Sequence, residues 1–227
     1  MDKNIIEVRG ACKSFRENEV LKEVSLTCES GKIYGIVGRN GSGKTVLFKC
    51  ICGFYKLDKG QIAVNGKIMG KEIDMLTNAG IIIEEPAYLQ NFNGYRNLEF
   101  LYRIRNKKDK NKLQETMKKV GLDPFSKKHV GKYSLGMRQR LALAQATMEN
   151  QEILILDEPM NGLDKDGVAD MRRFFEDLKK QGKLILLASH NKDDIDILCD
   201  EVFEMDKGEL RSLAVKKATR EASVHTL

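Results

Sequence analysis

Two stretches near the start of the chain, at about 4–10 and 20–28, alternate apolar and polar residues. Ile6 and Val8, then Val20, Val24, Leu26 and Cys28, hold the apolar positions. A period of two belongs to half-buried strands, so both segments predict edge strands of an antiparallel sheet. The run Ile33-Tyr34-Gly35-Ile36-Val37 reads as a fully buried strand, and Thr45 to Ile51 carries no helix breaker and predicts a helix. From Gly60 to Ile68 the pattern is that of a hairpin turning at Asn65-Gly66, a pair that accepts positive φ at both positions. Ile81-Ile82-Ile83 predicts another buried strand, ending at Glu84-Glu85-Pro86.

From about 87 to 150 the texture becomes helical, with few strand signals, and predicts an inserted helical unit. Its basic run, Arg103-Ile104-Arg105-Asn106-Lys107-Lys108-Asp109-Lys110, is either a solvated helix end and connector or a docking surface for an acidic partner. Ile153-Leu154-Ile155-Leu156 and Leu184-Ile185-Leu186-Leu187-Ala188 predict strands buried on both faces. Between them Val168, Met171, Phe175 and Leu178 recur at helical spacing, so 166–181 is an amphipathic helix whose stripe belongs to the core. Strand, helix, strand in this order implies a parallel sheet with right-handed crossovers. Beyond Gly208 the chain is polar without a period, and 212–227 predicts a frayed end.

Composition narrows the class without naming a chemistry. A chain of 227 residues buries one sizeable core, with room for a subdomain. The net charge of +6 is a mild excess that does not argue for nucleic acid. Cys12, Cys28, Cys50, Cys52 and Cys199 are odd in number and lack C-x-x-C spacing, which predicts reduced, cytosolic thiols used as small apolar residues. No apolar run approaches the roughly 18 residues of a membrane span, and Met1-Asp2-Lys3-Asn4 does not open a signal peptide. If the protein works at a membrane, the expectation is that another chain holds it there.

The chemistry lies in Gly38-Arg39-Asn40-Gly41-Ser42-Gly43-Lys44-Thr45, which fits G-x-x-x-x-G-K-[ST] at every fixed position, with a strand before it and a helix after it. Such glycines let successive N–H groups converge on one point at a helix N-terminus, where phosphate is favoured. Lys44 is then expected to reach the terminal phosphates, and the Thr45 hydroxyl to ligate Mg2+. The strand at 153–156 runs into Asp157-Glu158-Pro159, two carboxylates at the ligand-binding edge of a parallel sheet. Beside a phosphate loop, Asp157 suits the metal shell and Glu158 suits orienting and deprotonating an attacking water. His190, at the end of the next strand, is either a satisfied structural residue or a contact for the terminal phosphate. Phe15, in the polar stretch Lys13 to Asn18, either stacks on a flat base or covers the sheet edge.

With these residues in view, Tyr133-Ser134-Leu135-Gly136-Met137-Arg138-Gln139-Arg140 resembles the signature motif of ATP-binding cassette ATPases. Asn161-Gly162-Leu163-Asp164 is similar to their D-loop, His190 to their switch histidine, Phe15 to their base-stacking aromatic, and Glu84 falls at their Q-loop. The resemblance covers about residues 5–210. It implies an α/β fold: a P-loop NTPase (RecA-like) core with a mostly parallel sheet, an N-terminal antiparallel β-subdomain and an inserted α-helical subdomain. One domain over 1–227 would divide into core and β-subdomain at about 1–86 and 151–210, helical subdomain at about 87–150, and a polar tail at about 211–227.

The resemblance also implies an ATPase using ATP and Mg2+. Phe15, Gly38, Asn40, Gly41, Ser42, Gly43, Lys44, Thr45 and Val46 would bind the nucleotide, joined across a dimer by Ser134 and Gly136. Glu158, His190 and Lys44 would be catalytic, and Thr45, Asp157 and Glu84 would hold the metal. The implied partners are a second cassette, as an ATP-dependent homodimer, and a membrane permease on a separate chain, with no nucleic acid. The implied location is cytoplasmic, peripheral on the inner face of the cell membrane through the permease.

Two departures stand out. Glu84 replaces the family's glutamine, and Leu135 and Met137 replace the first glycine and the glutamine of the signature, with Leu135 expected to point away from the nucleotide. Both variations resemble the cassettes of bacterial exporters for bacitracin and lantibiotic-type peptides. The competing reading is a soluble cassette ATPase acting on nucleic acid or ribosomes, or in cofactor assembly. The lack of a long heptad insertion and of a second cassette counts against the nucleic-acid form.

Overall fold

The computed structural model describes residues 4–213, except for the side chains of 192–194. β1 (Ile5–Phe15) and β2 (Asn18–Glu29) form a hairpin, and β4 (Lys59–Val64) with β5 (Lys67–Ile68) forms a second. Together they make an antiparallel sheet in the order β2-β1-β4-β5. Val64 pairs with Lys67 across Asn65 and Gly66, both at positive φ, the backbone that this turn requires. β1 is not the expected edge strand: β4 pairs with its free side, so of the two expected edge strands β2 alone lies at an edge.

The larger sheet runs in the order β10-β9-β3-β8-β7-β6, built from β3 (Ile33–Val37), β6 (Ala79–Ile82), β7 (Ile153–Asp157), β8 (Leu184–Ser189), β9 (Glu201–Asp206) and β10 (Glu209–Leu213). Every pairing in it is parallel except β10 on β9. β6, expected to be buried, is an edge strand whose residues are alternately buried and half-buried.

Period two splits these central strands between two cores. Ile36, Ile155 and Leu186 face α1 (Lys44–Ile51) and the antiparallel sheet, where they meet Phe48, Ile6 and Leu26. Their neighbours Val37, Leu154 and Leu187 face the opposite core, formed with α2 (Gly94–Tyr102), α3 (Lys110–Lys119), α4 (Leu135–Thr147) and α5 (Lys165–Lys180). α5 matches the expected helix, with Met171, Phe175 and Leu178 buried. α4 packs on β6: the carbonyl of Ala146 lies 1.9 Å from where a Cβ of Gly80 would stand, so only glycine fits at that strand position.

The basic residues of the run are all exposed, and one of them also makes an ion pair. Lys108 Nζ reaches back to 2.9 Å from the carboxylate of Glu99, which is buried and also bonded by Arg96 at 2.5 Å. Lys108 and Arg96 hold that carboxyl below its usual range, against the opposing effect of burial.

The pattern did not disclose α6 (Lys192–Leu198), β9 or β10. Glu209–Leu213 is a paired edge strand, so Ser212 and Leu213, expected to belong to the frayed end, are paired with β9; the rest of that predicted end lies outside the described residues. Among the described residues no helix is long and apolar enough to cross a membrane.

Candidate active site

Strand order brings the chemistry together. β8 lies between β3 and β7, with Val37 opposite Ser189 and Ala188 opposite Asp157, so the phosphate loop, Asp157-Glu158 and His190 all leave one sheet edge side by side. Each sits at the C-terminal end of a parallel strand.

The phosphate loop is wedged against backbone. A Cβ on Gly38 would lie 2.3 Å from the Met205 carbonyl, and one on Gly43, whose φ is 116°, would lie 2.8 Å from the Val20 carbonyl. Neither position accepts a side chain, and Gly43 also needs the left-handed region. The loop's far side is open: it lines a cavity of about 460 Å3 with Val20, Ile82, Glu84, Glu85, Leu135, Gln139, Asp157, Glu158 and Asn161. Asn40, Gly41, Ser42, Gly43, Lys44, Thr45 and Val46 all face it. Gly38 does not line it; it belongs to a neighbouring cavity with Arg39 and His190.

Lys44 is almost fully buried and donates to the carbonyls of Gly38 at 2.7 Å and Arg39 at 3.2 Å. α1 starts at this lysine with no capping side chain and no acidic residue in its first turn, leaving its N–H groups and positive dipole end open to an anion. Ser42 Oγ is buried without a partner in the same loop. A buried ammonium, an orphan hydroxyl and uncapped N–H groups form a cradle that a phosphate chain would satisfy.

Thr45 Oγ1 donates to Asp157 Oδ2 at 2.5 Å. Burial, more than any neighbour, pushes the Asp157 carboxyl above the usual range, and the carboxylates of Glu158 and Glu84 push the same way. Hydroxyl and carboxylate oxygens suit a hard cation such as Mg2+. Among the described residues no group of three or more His, Cys, Asp or Glu would hold a metal unaided, so further ligands would come from phosphate or water. The third expected metal ligand, Glu84, is engaged elsewhere: Lys49 Nζ donates to its Oε1 at 2.6 Å, and its own φ is 64°.

Glu158 sits in the sparsely populated left-handed region at φ 50°. Its backbone is fixed by its N–H on the Ala188 carbonyl, and by Asn161 N–H and Gln139 Nε2 on its own carbonyl. One carboxylate oxygen, Oε2, lies 2.9 Å from His190 Nδ1 and accepts from Ser189 Oγ at 3.4 Å. The other, Oε1, is buried without a partner. A carboxylate beside a phosphate cradle can orient a water and take its proton once its unpartnered oxygen, buried here, is opened to that water.

Besides Gly38, three expected nucleotide contacts lie outside the cavity. Phe15 is half-exposed at the β1–β2 turn, edge-on to Tyr55 with ring centroids 5.3 Å apart. Ser134 caps α4, accepting from Met137 N–H at 3.3 Å, and Gly136 packs against the Gly162 carbonyl. Leu135, expected to point away, lies over Gly162 and lines the chain's own phosphate-loop cavity. Sequence reasoning missed Val20, Gln139 and Asn161 as wall residues; Gln139 and Asn161 lay within recognised motifs, whereas nothing local marked Val20.

The ABC transporter family model matches residues 21–161. The chain is 39% identical over 208 residues to the ABC transporter ATP-binding protein YybJ of Bacillus subtilis, covering 92% of this chain and 95% of that one. It is 36% identical over 208 residues to the bacitracin transport ATP-binding protein BcrA of Enterococcus faecalis, covering 91% and 68%. In fold it is similar to the dimeric structure of a bacterial ABC transporter cassette, with a TM-score of 0.83 at 19% identity over 93% of this chain and 99% of that one.

Proposed function

The chain belongs to the ABC transporter family of ATPases, and from that membership we propose that it is the motor subunit of a peptide exporter, closing head to tail with a second copy around two ATP molecules. A permease on a separate chain would hold it at the inner face of the cell membrane and carry the cargo. The likeness to BcrA supports a peptide antibiotic of the bacitracin type as that cargo. The division that accompanies this reading is a core with its β-subdomain at about 1–86 and 151–210, and a helical subdomain at about 87–150.

The observation that carries the proposal is the Glu158 carboxylate, held by His190 at one oxygen and buried without a partner at the other, on the same edge as the phosphate loop. Lys44 and the uncapped start of α1 would bind the terminal phosphates, Lys44 exchanging its carbonyl partners for phosphate oxygens. Glu158 Oε1 would receive the proton of the attacking water while His190 steadies the developing acid. Thr45 and Asp157 would hold Mg2+, which when bound supplies positive charge to the phosphate oxygens. Ser134, at the exposed start of α4, would face the phosphates of the partner copy, a helix N-terminus offered to an anion.

Hydrolysis would replace a bridging phosphate with separated products and open the pair, and that opening would be the power stroke, because the closed state binds ATP better than its products. The test is size measurement with and without ATP on the Glu158→Gln variant, together with co-purification of a multi-spanning protein from membranes. An ATP-dependent doubling of mass is expected. A monomer at saturating ATP removes the head-to-tail reading, and ATPase stimulation by RNA or DNA without a membrane partner would favour the nucleic-acid alternative.

A further inference from the structure

Among the described residues, more carboxyl groups than cations line the cavity beside the phosphate loop. Glu84, Glu85, Asp157 and Glu158 all line it, against the single ammonium of Lys44. A phosphate chain entering there meets four carboxylates, and each unneutralised one weakens its binding.

Lys49 stands just outside that wall, in the last turn of α1, the helix that follows the phosphate loop. Its Nζ lies 2.6 Å from Glu84 Oε1, and its side chain is only 18% exposed. The aromatic ring of Tyr55 backs it, 5.5 Å from the ammonium, and Tyr55 in turn is braced by Phe15. The lysine is therefore held in place from behind, while the carboxylate it pairs with is 68% exposed and belongs to a residue with left-handed backbone. A cation fixed on the helix and an anion on a loop form a pair in which the lysine sets the position of the glutamate.

We propose that Lys49 is a positioning residue that neutralises Glu84 and holds it off the phosphate and metal side of the cavity, so that the ion pair takes the place of an uncharged side chain at position 84. The inference rests on the reading that ATP phosphates occupy this cavity. Lys49 touches neither nucleotide nor metal; it acts through Glu84. Removing it unmasks a carboxylate beside the phosphates, and removing Glu84 as well cancels the loss.

The test is calorimetric titration of ATP into the full chain, in Mg2+ and again in EDTA, for wild type, Lys49→Met, Glu84→Gln, the double variant and Lys49→Arg. Without metal, the loss of a metal ligand cannot move the result. Lys49→Met is expected to weaken metal-free ATP binding on the order of tenfold, the size of one unscreened charge near a surface, and less at high salt. Lys49→Arg should stay within about twofold of wild type, and Lys49→Met/Glu84→Gln should return there. Glu84→Gln alone, with Lys49 left unopposed, should tighten metal-free binding severalfold; it keeps the proposal testable even if Lys49→Met does not fold.

An unchanged affinity in Lys49→Met or in Glu84→Gln overturns the proposal. So does an equal loss from Lys49→Met in both backgrounds, because additive effects mean that the lysine does not act through the glutamate. A wild-type chain that binds no ATP overturns the site reading and this inference with it, whereas ATP-binding wild type with indifferent variants overturns the inference alone.

Discussion

Two helices in this molecule begin at a functional motif, and they begin differently. α1 starts inside the fold: Lys44 is buried, Gly43 offers no capping side chain, and the loop before it is clamped against the Val20 and Met205 carbonyls. α4 starts at the surface, where Ser134 is exposed and Leu135 is 42% exposed, and Ser134 Oγ already accepts from Met137 N–H. Neither first turn contains an acidic residue, so both positive dipole ends are available to an anion. The contrast teaches that the phosphate-loop wall is complete within one chain, its geometry fixed by backbone packing. The signature turn is finished only as a helix start, and its exposed end is free to meet another molecule.

The largest expected effect lies on the complete wall. Glu158→Gln should lower ATP turnover by about a thousandfold, within the range for a lost general base, while ATP affinity is retained; hydrolysis near the wild-type rate would remove Glu158 from the chemistry. Lys44→Ala should weaken ATP binding about ten- to a hundredfold, the worth of a charge-assisted bond of roughly 1.5–3 kcal/mol. Equal affinity in a nucleotide titration would mean that the loop is not the cradle.

Asp157→Asn sharpens the comparison through pH. Because burial raises the Asp157 carboxyl, the stability it contributes is present below the ordinary carboxylate range and is lost as pH rises through its raised value. Without ligand, Asp157→Asn should therefore melt higher than wild type at pH 8, with the gap closing toward acid. With Mg2+ and ATP the wild type should gain the more, by linkage. A variant that melts lower than wild type at every pH, with or without ligand, would make Asp157 a structural carboxylate.

The smallest effect belongs to the open wall. Ser134→Ala removes the α4 cap, costing about 1 kcal/mol and a melting-point drop of roughly 2–4 °C, with single-chain ATP affinity unchanged. If its affinity fell as far as that of Lys44→Ala, the two helix starts would serve one nucleotide in one chain and the contrast would vanish.

How much of this was readable follows from the range of each interaction. The strand, loop and helix around Gly38 to Thr45 are contiguous, so local pattern sufficed, and the turn at Asn65-Gly66 was legible for the same reason. Asp157-Glu158 was legible because an apolar strand delivers both residues to its own end. β10 was not legible: Glu209-Leu210-Arg211-Ser212-Leu213 is largely polar and becomes a strand only because β9 offers its backbone. Nor was the interior place of β1, which β4 imposes.

The sequence by itself determined the chemistry on offer: a phosphate loop, two adjacent carboxylates, a histidine and a signature turn, each encoded in a short run whose backbone behaviour is nearly context-free. Tertiary structure decided which of these meet. Setting β8 between β3 and β7 put His190 against Glu158 and Thr45 against Asp157. It left Ser134 exposed and gave Glu84 a lysine partner. The physical reason is that strand order and helix packing are set by long-range burial of apolar faces, a property of the whole chain that no short window contains.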